Sequence, residues 1–431
     1  MQTNRMKNPG GCRHLLFIAL TLLCMTALTA RSQNIYESRV TDAVTGESVP
    51  FASIHAGAAN STIANSEGEF RLTAGAADMI HISCIGYATV SMRADALGTA
   101  VRLSPAAVSL DGVTVRPYRP DIDEVIKATA AQMKEHRKET ANYLYRQTTA
   151  IDGHTTSMVE AIINARSAVS LRDMMLVTGR ISDADRTPAG DYSYSANFHT
   201  FSQIELFSSD YKIPLTDRLI PLFADYARFY DISHTLTDDN GRRVAAIRFT
   251  PKRRLARRMM ECTLHIDTES LLLLRAEGQL LNETVVHNYG RSDSRDLPAD
   301  IRFTVNFSTA RGFSEIETVA IDASYTTGTR KYRFTSLLYN AGSRDVTGGR
   351  RLRPAADLRR QIAEAQGDDA FWKNNEIVRH TAAERSLTPA DSMPAGVYQA
   401  MPIENGTAAG EREAPPSLPK GEEKGGGISS P

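Results

Sequence analysis

A chain of 431 residues, 42% of it hydrophobic, is long enough for two domains with separate cores. Its 50 Lys and Arg balance its 50 Asp and Glu, which excludes a dedicated nucleic-acid binder working through a basic surface. Only Cys84 and Cys262 lie beyond the N-terminal 32 residues, and two thiols do not make a disulfide framework.

Arg5, Lys7 and Arg13 precede an uncharged, strongly apolar run from Leu15 to Ala30, the layout of a signal peptide. The run is short for a spanning helix, and small residues at Ala30 and Ser32 suit cleavage after Ser32, with Ala30 as the neighbouring choice. Residues 1–32 are expected to be removed on export, leaving no transmembrane span. An uncleaved anchor is the alternative, and Leu22 and Leu23 count against lipidation at Cys24. Cys84 and Cys262 each sit in a strand-like run, so two buried free thiols are expected rather than a bridge or a metal site.

Residues 34–117 read as a β-sandwich. Strand-like runs between Ile35 and Ile54 flank the turn Asp42-Ala43-Val44-Thr45-Gly46. The polar turn at Asn65 to Gly68 feeds a strand with Phe70 and Leu72 on one face, and Met79 to Cys84 reads as a central strand ending at Gly86. Val101 to Leu103 and Val113 to Val115 supply the last strands.

The ordered set Val40, Asp42, Gly46, Pro50, Ala52-Ser53-Ile54, Asn65, Glu67-Gly68-Glu69-Phe70 and Ile82-Ser83-Cys84-Ile85-Gly86-Tyr87 resembles a carboxypeptidase-like regulatory domain. Leu110 to Val115 is similar to that family's final strand, while Ser38 stands where a Gly is usual. The resemblance implies a prealbumin-like sandwich of an exported Bacteroidetes protein. It brings no peptidase chemistry, which would need a His and Glu at short spacing and a distant second His around zinc. His136 and Glu139 have that spacing, with His265 or His287 as distant partners, but they sit in a charged stretch that a solvated helix end explains. His380 and Glu384 could share a helical face, and a surface helix is the simpler expectation there. His81 and His265 read as ordinary sheet residues. No metal, cofactor or catalytic residue is expected, and the chain is not expected to be an enzyme.

Residues 118–345 open with Ile122, Val125, Ile126, Ala130 and Met133 at helical spacing, with Asp121 and Asp123 at the positive helix end. Strands follow at Tyr143 to Gln147 and Met158 to Ala168, with hairpin turns at Asp152-Gly153 and Asn240-Gly241. Ile301, Phe303, Val305 and Phe307 alternate strictly with Arg302, Thr304, Asn306 and Ser308, the pattern of a half-buried antiparallel sheet. Further strands are expected at Cys262 to Ile266, Leu271 to Leu281, Thr284 to Tyr289, Glu315 to Tyr325 and Lys331 to Leu338. The expected fold is therefore mainly β: a sandwich, then a helix against a large curved, half-barrel-like antiparallel sheet. Tyr143-Leu144-Tyr145-Arg146, Glu160-Ala161, Ile247 to Pro251 and Leu264 to Asp267 resemble motifs of the second domain that follows such sandwiches in Bacteroidetes envelope proteins. The architecture is also similar to the open half-barrels of periplasmic lipoprotein carriers, which implies room for an acyl chain or polypeptide.

Two groups are candidate contacts. Lys252, Arg253, Arg254, Arg257 and Arg258 fill a hairpin loop that could meet anionic lipid, although solvated loops are commonly charged. Phe201, Phe207 and Tyr211, with Phe198, Phe223, Tyr226, Phe229 and Tyr230, could line a ligand groove or simply pack. Asp183, Asp185 and Asp191 lack the Gly and terminal Glu of a calcium loop.

Residues 346–386 read as a helical C-terminal segment, with Leu358 and Ile362 on one face and Phe371-Trp372 docking it. Residues 387–431 are rich in Pro, Gly and Glu and are expected to be disordered. The chain thus reads as an exported, non-catalytic binding or scaffolding protein of the periplasm or outer membrane, with a lipid or an envelope protein as partner. The alternatives are a carbohydrate-binding accessory protein and a hydrolase of unrecognised type.

Overall fold

The computed structural model describes residues 33–57, 60–106, 120–135, 139–167, 171–184, 226–253, 261–280, 299–327, 329–342, 349–353, 358–365 and 369–387. The N-terminal apolar run, the strands expected at Val113 to Val115 and Thr284 to Tyr289, and the tail beyond Leu387 lie outside them.

Strands β1 (Gln33–Asp42), β2 (Ser53–Ala56), β3 (Asn60–Ile63), β4 (Glu69–Gly75), β5 (Met79–Ser83), β6 (Val90–Arg93) and β7 (Ala100–Leu103) form two facing sheets. One has the order β4-β1-β7, with β1 and β7 parallel, and the other the order β3-β2-β5-β6. Val40, Ile54, Phe70, Ile80, Ile82 and Leu103 fill the space between them, each burial worth about 1.5–3 kcal/mol. The turns hold by side-chain acceptors. Asp42 Oδ1 takes the N–H groups of Val44 and Thr45 at 2.7 and 2.9 Å, and Asn65 Oδ1 takes those of Glu67 and Glu69, both at 2.9 Å. At Gly68 the backbone has φ +76°, and a Cβ would stand 2.5 Å from the Val40 carbonyl oxygen, so only glycine fits.

A third, larger sheet holds the later strands: β8 (Glu139–Ile151), β9 (His154–Ser167), β10 (Arg172–Asp183), β11 (Tyr230–Asp239), β12 (Arg242–Pro251), β13 (Glu261–Asp267), β14 (Leu273–Leu280), β15 (Ala299–Ser308), β16 (Glu315–Thr327), β17 (Arg330–Gly342) and β18 (Arg350–Arg351). Its order is β11-β12-β13-β14-β15-β16-β17-β8-β9-β10-β18, antiparallel throughout. Asp152-Gly153 and Asn240-Gly241 turn β8 into β9 and β11 into β12 with positive φ at both positions (51°, 84° and 54°, 80°), the type I′ geometry that matches strand twist.

The sheet has an inner and an outer face. Ile301, Phe303, Val305 and Phe307 point inward and are at most 6% exposed, whereas Arg302 points outward. They join one cluster with Tyr143, Val159, Ile247, Leu264, Val319 and Phe334 from other strands. The helix Ile122–Glu135 lies on this inner face through Val125, Ile126 and Met133. Asp121 caps it, accepting from the N–H groups of Asp123 and Glu124 at 3.0 and 3.3 Å. A shorter helix, Leu358–Ala363, sets Ile362 against the same face over Gly179. Cys262 is buried in this cluster and Cys84 is half-buried in the sandwich, both as free thiols.

Candidate functional site

The polar outer face carries the sandwich and a C-terminal strap, residues 375–387, and the candidate site lies where the three meet. Neighbouring residues of three adjacent strands begin it: Arg146 on β8 pairs with Glu160 on β9, which pairs with Arg180 on β10. Glu160 Oε1 accepts from Arg146 Nε at 2.8 Å, and its Oε2 accepts from Arg180 Nε at 2.6 Å. The strap completes the network. His380 places Nε2 3.2 Å from Glu160 and Nδ1 2.8 Å from Glu376, so both ring nitrogens face carboxylates, which favours the protonated ring. Arg146 also donates to the Val378 carbonyl at 2.8 Å, and Glu384 accepts from Thr148 Oγ1 at 2.8 Å. Arg180 stacks 4.9 Å above Trp372, which is the docking role expected of that Trp.

Burial opposes the charges on Arg146, Glu160, Glu376 and His380, and their partners overcome it. Glu160 stays well below the ordinary carboxylate range because Arg180, Arg146 and His380 outweigh desolvation. Glu376 is likewise depressed to about 2, chiefly by His380 against the cost of burial. His380 is raised above its ordinary value, since Glu160 and Glu376 outweigh both burial and the repulsion of Arg146.

The strap reaches the sandwich from its other side. Thr62 donates to the Ile377 carbonyl at 2.9 Å, Arg71 meets Glu376 at 3.2 Å, and Arg379 meets Glu37 at 2.8 Å. Thr381 caps the short helix Ala382–Arg385 through a reciprocal pair with Glu384. The surface helix expected at His380 and Glu384 is thus corrected. Both residues are buried, at 2% and 8% exposure, because each answers a charge or hydroxyl on the sheet. The Thr-x-x-Glu pattern was the available sequence signal, but the partners on β8 and β9 were not readable from it.

A second line of contacts runs along the sandwich loop 84–89. Gly86 donates to Asp239 Oδ1 at 3.2 Å, Thr89 donates to Asn240 Oδ1 at 2.9 Å, and Asn240 Nδ2 donates to the Tyr87 carbonyl at 3.0 Å. Ile85 packs on Val244, Leu272 and Leu274 of the outer face. Among the described residues, clefts lie between the modules. One, of about 280 Å³, is lined by Pro50, Arg146, Arg302, Arg333 and the strap residues Thr381 and Glu384. Another, of about 290 Å³, is lined by Ser53, His55, Asp239, Arg242, Asn306 and Glu317. Phe51 lines both, with φ +57°, a left-handed conformation that a bulky side chain rarely adopts.

Glu317 owes its direction to a β-bulge. Asn306 pairs with Thr318 but Phe307 pairs with Ile316, so Glu317 is the extra residue. Its two carboxylate oxygens accept from Ser53 Oγ at 2.9 and 2.8 Å, and His55 Nε2 lies 3.9 Å away. Burial raises its pKa above the ordinary range despite Ser53 and His55. Because Ser53 donates to this carboxylate and not to an imidazole, the trio lacks a serine–histidine pair.

Of the contacts expected from sequence, Arg254, Arg257, Arg258, Phe201, Phe207 and Tyr211 lie outside the described residues, as do His136, His287, Asp185 and Asp191. Lys252 donates to the Ala227 carbonyl at 2.6 Å, and Arg253 is exposed beside it. Tyr226 and Tyr230 are buried edge-on against Phe249 at 5.7 and 5.8 Å, which makes these two core residues rather than a platform. His265 pairs with Glu277 at 3.5 Å across β13 and β14, and Asp183 accepts from Ser157 at 2.7 Å. No cluster of three metal-ligating side chains occurs among the described residues, and no helix among them is long and apolar enough to cross a membrane.

No family model and no curated protein matches the chain. Among solved structures, a LolA superfamily protein from Nitrosomonas europaea is similar at 11% identity and TM-score 0.21, over 52% of this chain and 94% of its own. A DUF1329 family protein from Desulfovibrio piger is similar at 13% identity and TM-score 0.21, over 52% of this chain and 96% of its own.

Proposed function

We propose that this chain is an exported, non-catalytic envelope protein whose carboxypeptidase-like regulatory sandwich is fixed to a curved sheet, and that the sheet's inner face holds an acyl chain. The observation that carries this reading is the continuity of the inner face. The row Ile301, Phe303, Val305 and Phe307 runs into apolar rows on β8, β9, β12, β13, β16 and β17, all buried in one cluster. Such a surface rewards hydrocarbon and offers nothing to a polar guest. The helix Ile122–Glu135 lies across it and is held to the β13–β14 turn by Thr129, which donates to the Leu271 carbonyl at 3.0 Å. Displacement of one helix is the motion that would admit a guest. Export is supported by the charged and then apolar N-terminus, and the two sheet faces divide the work: guest within, sandwich and strap without.

Native mass spectrometry on the chain purified from a bacterial envelope, followed by lipid extraction, tests this reading. The expected result is one co-purifying acyl lipid, and a mature N-terminus at or next to Gln33. Ala130 packs half-buried against the inner cluster; Ala130→Phe should fill guest space, removing the lipid while the fold persists. A folded chain that never carries lipid would sink the proposal.

A further inference from the structure

We propose that the cleft between β2 of the sandwich and the bulge of β16 binds a single saccharide ring, with Glu317 taking its hydroxyl hydrogens and Phe51 facing its C–H surface. Three independent features converge there. The bulge turns Glu317 outward beside Thr318, where uninterrupted alternation would have sent one of them into the apolar inner face. Phe51 stands at φ +57°, a left-handed conformation that a bulky side chain rarely adopts and that functional sites often retain. The cleft measures about 290 Å³, at the small end of the ~300–1,000 Å³ range of ligand sites, which suits one ring and not a polymer.

The chemistry of the lining selects the class. Glu317 has one hydroxyl donor, Ser53, shared between its two oxygens, and a half-exposed His55 at 3.9 Å. It therefore keeps acceptor capacity in a place where water is partly excluded. Asn306 spends its Nδ2 on the Phe51 carbonyl at 3.4 Å, and Arg242 is the guanidinium of the lining. An anion would meet the carboxylates of Glu317 and Asp239, and an apolar guest would strand them without partners. An ammonium would leave the donors of Arg242 unanswered. A polyol both donates and accepts at each hydroxyl, and its ring presents C–H groups to an aromatic side chain, so it uses the whole lining.

The test is saturation-transfer NMR and calorimetric titration of the full chain with methyl glycosides of glucose, galactose, mannose and N-acetylglucosamine, with methylammonium as the rival probe. At least one glycoside should bind. Glu317→Gln, which keeps size and removes charge, should weaken it roughly tenfold or more. Phe51→Asn, which tolerates the left-handed backbone and deletes the ring, should do the same with circular dichroism unchanged. Phe51→Asn touches no charged group, so it keeps the test open should Glu317→Gln unfold. The proposal is overturned if no glycoside binds, if binding survives both substitutions, or if methylammonium occupies the cleft instead. Ala130→Phe, on the other face, should leave glycoside affinity unchanged, so this site and the acyl-chain reading fail separately.

Discussion

Glu160 is one carboxylate between two guanidinium groups, 1% exposed, with the His380 ring at its third side. Removing its charge leaves Arg146 and Arg180 buried with too little negative charge. Glu160→Gln should therefore cost about 3–5 kcal/mol of unfolding free energy, read from urea denaturation. Gly278 shows the opposite kind of dependence, on space alone. Phe303 lies directly across from it, and a Cβ at Gly278 would stand 2.3 Å from the Glu261 carbonyl oxygen and 2.5 Å from the Phe303 ring. Gly278→Ala should lose about 1–3 kcal/mol in the same measurement, and a neutral result would mean that both the Phe303 ring and the β13 backbone at Glu261 can give way. Residues of this kind divide what can be read from sequence. The alternation around Phe303 announces its burial, but nothing local announces that its neighbour across the sheet is Gly278. Glu317 left a faint trace, because two polar residues stand together between Ile316 and Val319 and break the alternating phase. Glu160 stood out only within the motif Glu160-Ala161, and nothing local announced its partners, which come from three other segments.

At the scale of elements, many strands and hairpins were legible because their signals are local, Asp-Gly and Asn-Gly turns and side chains alternating in and out, whereas β10, with its irregular pairing to β9, was not among the expected strands. The helix Ile122–Glu135 was legible for the same reason, through its capping Asp121 and its apolar spacing. The strap was not, because its residues have little pattern of their own and take their order from charges on β8, β9 and β4. Those charges make its docking depend on pH. Glu376 has a folded pKa near 2 against an ordinary 4.5, so its contribution is present above 4.5 and lost as the pH falls toward 2. His380 is raised above its ordinary 6.5, so its contribution is full below 6.5 and lost as the pH rises through the raised value. The strap should be held most tightly between about pH 4.5 and 6.5. Hydrogen exchange of residues 375–387 should be slowest in that window after correction for intrinsic rates. His380→Gln should abolish the rise on the alkaline side, and an unchanged profile in that variant would remove His380 as its cause.

For the whole molecule, the strap decides whether two cores behave as one. Each module has its own apolar cluster, and the direct contacts between them are a few hydrogen bonds and the small patch around Ile85. Ion pairs and hydrogen bonds from residues 375–387 reach both modules at once, so the full chain should melt in one calorimetric transition. A chain ending at Asn374 should melt in two, and one unsplit transition would show that the direct contacts, the loop 84–89 together with the hydrogen bonds of Ser53 to Glu317 and of Asn306 to Phe51, suffice for coupling. The partners in this arrangement are very far apart along the chain, as with Thr62 and Ile377, 315 positions apart. A ribosome delivers the sandwich early and the residues that seat it late. Until the last of them emerges, Arg146 and Glu160 face water, and the nascent protein carries a polar groove where the finished one has a seam. Chains cut short by damage or stalled synthesis would keep that groove open, and a protease that cleaves extended segments could tell a complete copy from an incomplete one by this surface alone.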